Sequence, residues 1–415
     1  MYLSARTPRW TPRTEADLQA AIDNGALEEG PHLDLKEAIP LKPSSNKGLA
    51  RDFAAFAIEG GTLIVGVRED KKARAFSLAP QPLKQLPERL EQIAGRIDPP
   101  VQIYTDEIPA AAADGTGYLV VHIPPSADAP HMVDGRYPGR GDKTNHTLTD
   151  AQVAELHRRR TLTHDDALTH IRTDMANDPL RGVTTTARFF LAARPTAGRR
   201  NLFLAHTNGH DWAQRLNETI DSVVRDRALS IVLPEADPEN GLTAFTHSYR
   251  RARGVALSYG LTSDRQYRPR PGEDHPELAT DLHLLEDGTL RLYTTGIAYD
   301  SSELSHLLVD GNMVALTRHT LALLRKLSEQ VGYRGSWVLA VAVADLRGHR
   351  SAAERQRYSE DTYEESTVAS YLDLSQNAGP VTGRLLGPLL RSLGSEERHQ
   401  QALAPDDRSD EPAPT

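Results

Sequence analysis

The sequence predicts an α+β protein, with a small mixed sheet and flanking helices followed by a second α+β domain. Three observations carry this. In the first third, short alternating or β-branched runs at 33–37, 62–67 and 118–123 are interleaved with amphipathic stretches. Far downstream, two apolar runs at 282–285 and 290–293 are split by Glu286-Asp287-Gly288, a hairpin signature. Beyond them an amphipathic helix over 313–330 precedes the apolar strand 335–346.

Taken in order, residues 1–13 form a Pro/Arg-rich arm expected to be mobile. Thr14 reads as an N-cap, with Asp17 completing a short variant of the capping box; Leu18, Ile22 and Leu27 give that helix an apolar side. Residues 33–37 alternate as a half-buried strand does, and 40–47 read as a loop. The stretch 51–70, RDFAAFAIEGGTLIVGVRED, organises the domain. Phe53 and Phe56 share a helix face, Gly60-Gly61 stops that helix, and 62–67 suit a strand buried on both faces. Arg68-Glu69-Asp70 then puts charge where the strand leaves the core, a common place for chemistry. A helix over 87–97 starts at proline, strands follow at 101–104 and 118–123, and 136–143 is a basic turn. Thr149 opens a helix through Arg160, which closes a domain spanning 14–160.

Residues 161–180 read as a linker helix and 181–394 as the second α+β domain. Its expected elements are strands at 188–193 and 202–206, a helix at 212–226, the hairpin, the helix and strand named above, a charged surface segment over 354–365 and a closing helix over 381–393. From Ser395 the chain is charged and proline-containing, so 395–415 are expected to be a disordered tail.

Composition narrows the function. The 415 residues suffice for two or three domains, and 39% hydrophobic with 25% charged residues is ordinary for a soluble globular protein. Cysteine is absent, which excludes disulfides and a zinc–cysteine site. No apolar run approaches the roughly 20 residues of a membrane helix, and no secretory signal is evident. A cytoplasmic protein without a membrane partner is expected. The net charge of −9 argues against a protein coated in nucleic acid but is compatible with one basic groove.

Two constellations carry chemistry. Glu29 and Asp34 lie five apart with Lys36 just beyond, and Glu69-Asp70 end the next strand. If those strands pair, the carboxylates and one lysine meet at one edge, where acids could hold magnesium or manganese; solvated strand ends are the simpler alternative. The basic turn presents Arg136, Tyr137, Arg140 and Lys143, residue types that contact phosphates. A second basic stretch, Arg250 to Arg253 and Arg265 to Arg270 with tyrosines among them, suits stacking on unpaired bases. His206, His210 and Asp211 invite a metal reading that Asn208-Gly209 disfavours by breaking a helix. No G-x-x-x-x-G-K-[ST] occurs, so no nucleotide cofactor is inferred.

Together, Glu29, Leu33-Asp34-Leu35-Lys36, Ala55-Phe56-Ala57, Gly60-Gly61, the 62–67 strand, Val121-His122-Ile123-Pro124 and Arg140-Gly141-Asp142 resemble the Schlafen AlbA-type domain. The resemblance covers about residues 14–160. It implies nucleic-acid binding, with bacterial members described as DNA-binding or transcription-regulator-like. Animal members cleave structured RNA such as tRNA with three acids and a metal. By that resemblance Glu29, Asp34 and Glu69 are the catalytic and metal-ligating positions, and Lys36 would stabilise phosphate charge. The order Glu-Asp-Glu replaces the animal Glu-Glu-Asp, Ile58-Glu59 replace the family's usual residues before the glycine pair, and the zinc cysteines are missing. The leading expectation is therefore nucleic-acid binding, DNA or structured RNA. A metal-dependent ribonuclease is the alternative, and a non-catalytic interaction or sensor module is a third class. A homodimer is the assembly considered.

Overall fold

The computed structural model describes residues 12–25, 27, 29–40, 42–70, 75–111, 115–141, 144–196, 201–226, 229–230, 233, 242, 245–268, 278–299, 306–351 and 357–405. The chain divides into two compact units, Met1–Leu162 and Thr163–Thr415.

In the first unit, α1 (Glu15–Asp23) starts at the expected capping box: Thr14 Oγ1 accepts from the Asp17 N–H, and the Asp17 carboxylate accepts from the Thr14 N–H. Strand β1 (Leu33–Lys36) follows. Helix α2 (Pro43–Phe56) starts inside the stretch expected to be a loop. Proline at its first turn was the available signal, but Lys42 before it makes no capping hydrogen bond, so the boundary carries no Ser, Thr or Asp mark. Strand β2 (Gly61–Val65) leads through Gly66, at φ +101°, into the hairpin β3 (Val67–Asp70) and β4 (Ala75–Leu78). Then come β5 (Gln81–Pro82), α3 (Leu86–Ala94), β6 (Tyr104–Pro109) and β7 (Thr116–Ile123). The strand expected at 101–104 begins only at Tyr104, although Val101 and Ile103 before it are buried.

The sheet order is β1-β2-β7-β5, with β6 also on β7. β1 and β2 pair in parallel, with Asp34 opposite Leu63 and Lys36 opposite Val65. Period-two alternation splits the core across the sheet. Leu63, Val65, Leu119 and Val121 pack with Phe53 and Phe56 of α2, whereas Leu33, Leu35, Ile64 and Val120 pack with Leu18 of α1. β2 is thus buried on both faces, as its composition required. The glycine pair has two separate reasons. Gly60 adopts φ +87°, and a methyl on Gly61 would land in the Phe56 ring. The unit continues through β8 (Pro138–Arg140) and β9 (Asn145–Thr147) into α4 (Asp150–Ala176). Thr149 and Gln152 form the entry capping box. The backbone is helical from Asp150 to Ala176, where a helix ending at Arg160 and a separate linker helix were expected.

The second unit contains β10 (Arg188–Pro195), α5 (Leu204–Thr207), α6 (Trp212–Val224), β11 (His247–Arg251), β12 (Gly254–Tyr259), β13 (Thr280–Leu285), β14 (Leu290–Thr294), β15 (Ala298–Tyr299) and β16 (Leu307–Leu308). These are followed by α7 (Asp310–Val331), β17 (Trp337–Ala344), β18 (Arg350–Ser351), β19 (Tyr363–Ala369), α8 (Tyr371–Gln376), α9 (Ala378–Leu393) and α10 (Gln400–Leu403). An antiparallel sheet runs β11-β12-β13-β14-β10-β17-β19. Phe189, Leu191 and Ala193 face a core shared with α6, α7 and α9, whereas Phe190 and Ala192 face Ala167 and Ile171. The expected strand at 202–206 is a turn and a short helix whose apolar residues Leu202 and Phe203 are buried. Arg250 and Arg251 of the second basic stretch lie on β11. The segment 354–365 enters β19 at Tyr363. The expected disordered tail is ordered to Leu403, where buried His399 stands 3.4 Å from Asp310. Residues 1–11 and 406–415 lie outside the described residues. No described helix is long and apolar enough to cross a membrane.

Candidate functional site

The alternation of β1 sends Leu33 and Leu35 to one face and Asp34 and Lys36 to the other, beneath α2. There α2 contributes Asp52, its one acid. Lys36 Nζ lies 2.7 Å from Asp34 Oδ2 and 3.2 Å from Asp52 Oδ2. From β8, Arg140 Nη2 reaches Asp34 Oδ1 at 3.5 Å and donates to the Gly30 carbonyl at 3.3 Å. Arg140 Nη1 donates to Asn145 Oδ1, and Asn145 Nδ2 donates to Asp52 Oδ1 at 2.6 Å. The Arg140 guanidinium also lies over the Phe56 ring, 4.5 Å from its centroid. Two acids, two cations and one amide therefore form a closed network.

The electrostatics follow from partial burial. Burial pushes the Asp52 carboxyl above its ordinary value, with the Asp34 charge adding and Lys36 opposing. Burial works against the Lys36 charge too, but Asp52 and Asp34 outweigh it and hold the ammonium above its ordinary value. Glu29 sits beside this network and its Oε1 accepts from the Leu35 N–H at 3.3 Å. Its carboxyl is also raised, first by burial, with the charges of Asp34 and Glu69 adding.

The structure thus brings Asp34, Lys36 and Glu69 each within electrostatic reach of Glu29, with Glu69 exposed on β3. Arg140 differs from expectation. Rather than reaching solvent from the basic turn, its side chain is 8% exposed and is spent on Asp34, Asn145 and Gly30. Tyr137 is half-buried, edge-on to His157, while Arg136 is exposed in the turn after Val133. Lys143 lies outside the described residues.

The implied magnesium or manganese can be tested against these donors. Asp34 faces Lys36 with one oxygen and Arg140 with the other, and Glu29 already accepts a backbone N–H. The positive charge a metal would bring is supplied by the chain itself, so in this arrangement the donors do not fit a divalent ion. Among the described residues no three His, Asp or Glu side chains group closely enough to share one, and this includes His206, His210 and Asp211.

Sequence reasoning missed two exposed cations. Lys47 and Arg51, one turn apart on α2, lie 3.4 and 3.5 Å from Asp134, beside Arg136 in sequence. Their i, i+4 spacing was the available signal. In the second unit, Arg250, Arg251 and Arg265 of the tyrosine–arginine stretch have internal partners, Arg253 and Arg268 are exposed, and Pro269 and Arg270 lie outside the described residues. Arg251 forms a two-pronged pair with buried Asp281, which Arg265 also approaches.

Comparison with known proteins agrees with the sequence reading of the first unit. Residues 29–149 match the family model described as Schlafen, AlbA_2. No curated protein matches the chain. A crystal structure of the DIP2311 protein from Corynebacterium diphtheriae matches at 18% identity and a TM-score of 0.23, covering 50% of this chain and 33% of that one. So low a score supports no argument.

Proposed function

We propose, from the premise that residues 29–149 are a Schlafen AlbA-type domain, that the first unit binds nucleic acid and that DNA is its target. The family match supports a nucleic-acid-binding or related function in general. The observation that carries the reading for this chain is the exposed pair Lys47 and Arg51 on α2, both against Asp134, with exposed Arg136 two residues further along the turn. Cations on a helix and an adjoining turn suit a phosphate backbone, which needs charge rather than a deep pocket. Lys36 and Arg140 act differently: they neutralise Asp34 and Asp52 and so lower the repulsion a phosphate would meet.

The test is duplex binding as a function of salt. Replacing Lys47, Arg51 and Arg136 together by alanine should weaken binding and flatten the salt slope by about 0.9 for each phosphate that the variant no longer neutralises. An unchanged slope would remove this cluster from the interface.

A further inference from the structure

A cavity of about 380 Å³ opens in the first unit between the end of α2, the β8–β9 hairpin and the first turns of α4. Its volume is at the small end of ligand pockets, roughly 300–1,000 Å³. Phe56, Ile58 and Leu148 give it apolar and aromatic walls, and its polar lining includes Glu59, His146 and Arg140. Arg140 contributes one further feature. Its buried Nε–H has no acceptor among the described residues, although its other nitrogens are bonded. A buried donor without an acceptor is unfavourable, and a ligand acceptor beside it would relieve that.

The charges decide the ligand class. Arg140 is balanced by Asp34, and Glu155 at the cavity is paired with Arg158. The cavity thus offers a phosphate little free positive charge, while Glu59 stands exposed as an acceptor. What fits is a flat, neutral heteroaromatic ring with an amino donor for Glu59 and an acceptor for Arg140 or His146. We infer that this cavity takes one amino-bearing nucleobase, as a free nucleoside or as an unstacked base of a single strand. The strand source rests on the nucleic-acid reading above; the free nucleoside does not.

The experiment uses the full chain, with adenosine, a single-stranded oligo-dA and an abasic strand of equal length as probes. The variant is Ala151→Trp. Ala151 lines the cavity and is exposed on the first turn of α4, so the indole fills the site without entering the core. Circular dichroism controls for folding. We expect saturable adenosine binding, weakened at least about tenfold in Ala151→Trp, the scale of one stacked base. Oligo-dA should bind better than the abasic strand by a similar factor, and only that preference should vanish in the variant. Adenosine binding with no strand binding would support the pocket as a nucleoside site and sink the strand source. Equal, salt-sensitive binding of both strands without adenosine binding would sink the pocket alone. A preference for oligo-dA that survives Ala151→Trp also overturns the pocket, and no binding of any probe overturns it for either source, leaving the duplex reading to its own salt test.

Discussion

Replacing Lys36 by methionine removes the ammonium that two carboxylates share while keeping most of the apolar stem. Asp34 and Asp52 are 12% and 14% exposed at their side chains, against 30% for Lys36. Removing one partner of a fully buried pair costs about 3–5 kcal/mol. Partial exposure of the lysine lowers the expectation to roughly 2–4 kcal/mol at pH 7. The sign of the pH dependence is fixed by Asp52. Its folded-state pKa is already raised, so the folded state takes up a proton more readily than the unfolded chain. Stability therefore falls as pH rises from the ordinary value through the raised one. Without Lys36 that raised value moves higher, so the loss should be larger at pH 7 than at pH 4.5, where Asp52 can protonate. Native-state hydrogen exchange of β1 and β2 amides reads this unit separately from the second. The variant Lys36→Met/Asp52→Asn, which leaves Asp34 to Arg140, should recover most of the loss. A change within about 0.5 kcal/mol at pH 7, or an equal loss at both pH values, would refute the network as drawn.

Further expectations test other parts of the fold. Gly61→Ala forces a methyl against the Phe56 ring, and overpacking of this kind should lower first-unit stability by about 1–3 kcal/mol in hydrogen exchange. Arg140→Lys keeps the charge but loses the planar fork shared by Asn145, Gly30 and Phe56; a loss of about 1–2 kcal/mol should follow, whereas an unchanged stability would mean that charge alone matters. In the second unit, burial pushes His283 and His319 down to about 4. Stability should therefore fall as pH drops from the ordinary 6.5 through about 4, by up to about 3 kcal/mol for each histidine. The curve of second-unit melting against pH should flatten in His283→Gln; an unaltered curve would assign the effect elsewhere.

What the sequence disclosed, and what it hid, divides along local and distant causes. The capping box at Thr14, the Gly60-Gly61 turn and the doubly buried β2 rest on neighbours within a few residues, and all were legible. The apolar patterns of β1 and β2 marked both strands, whereas their parallel pairing depends on the α2 crossover between them. Arg140 was misplaced because its partner Asp34 lies far away in sequence, so a cation in a turn looked solvated. Asp52 was overlooked for the same reason: only the β1–α2 packing gives a lone acid in RDFAAFA its lysine. Strand β11 escaped because His247 to Arg251 carry no apolar alternation; it pairs on one side only and stays largely exposed. The segment after Ser395 looked disordered by composition, yet Asp310 at the start of α7 holds His399 there. Burial works against the Asp310 charge, but His399 together with hydrogen bonds from Ser395 and Ser351 outweighs it and keeps the carboxyl below its ordinary value.

The central claim is that the first unit binds nucleic acid and that its clustered acids are neutralised by the chain's own cations rather than used for cleavage. The most direct test incubates labelled tRNA and duplex DNA with the full chain, with and without manganese, beside Glu69→Gln and Asp34→Asn. Glu69 is exposed, so its substitution leaves the fold undisturbed. Intact RNA is expected in every lane, with a salt-sensitive DNA complex in wild type and both variants. Manganese-dependent cleavage of the tRNA by wild type that is lost in Glu69→Gln and Asp34→Asn would contradict it and make the acids a catalytic site.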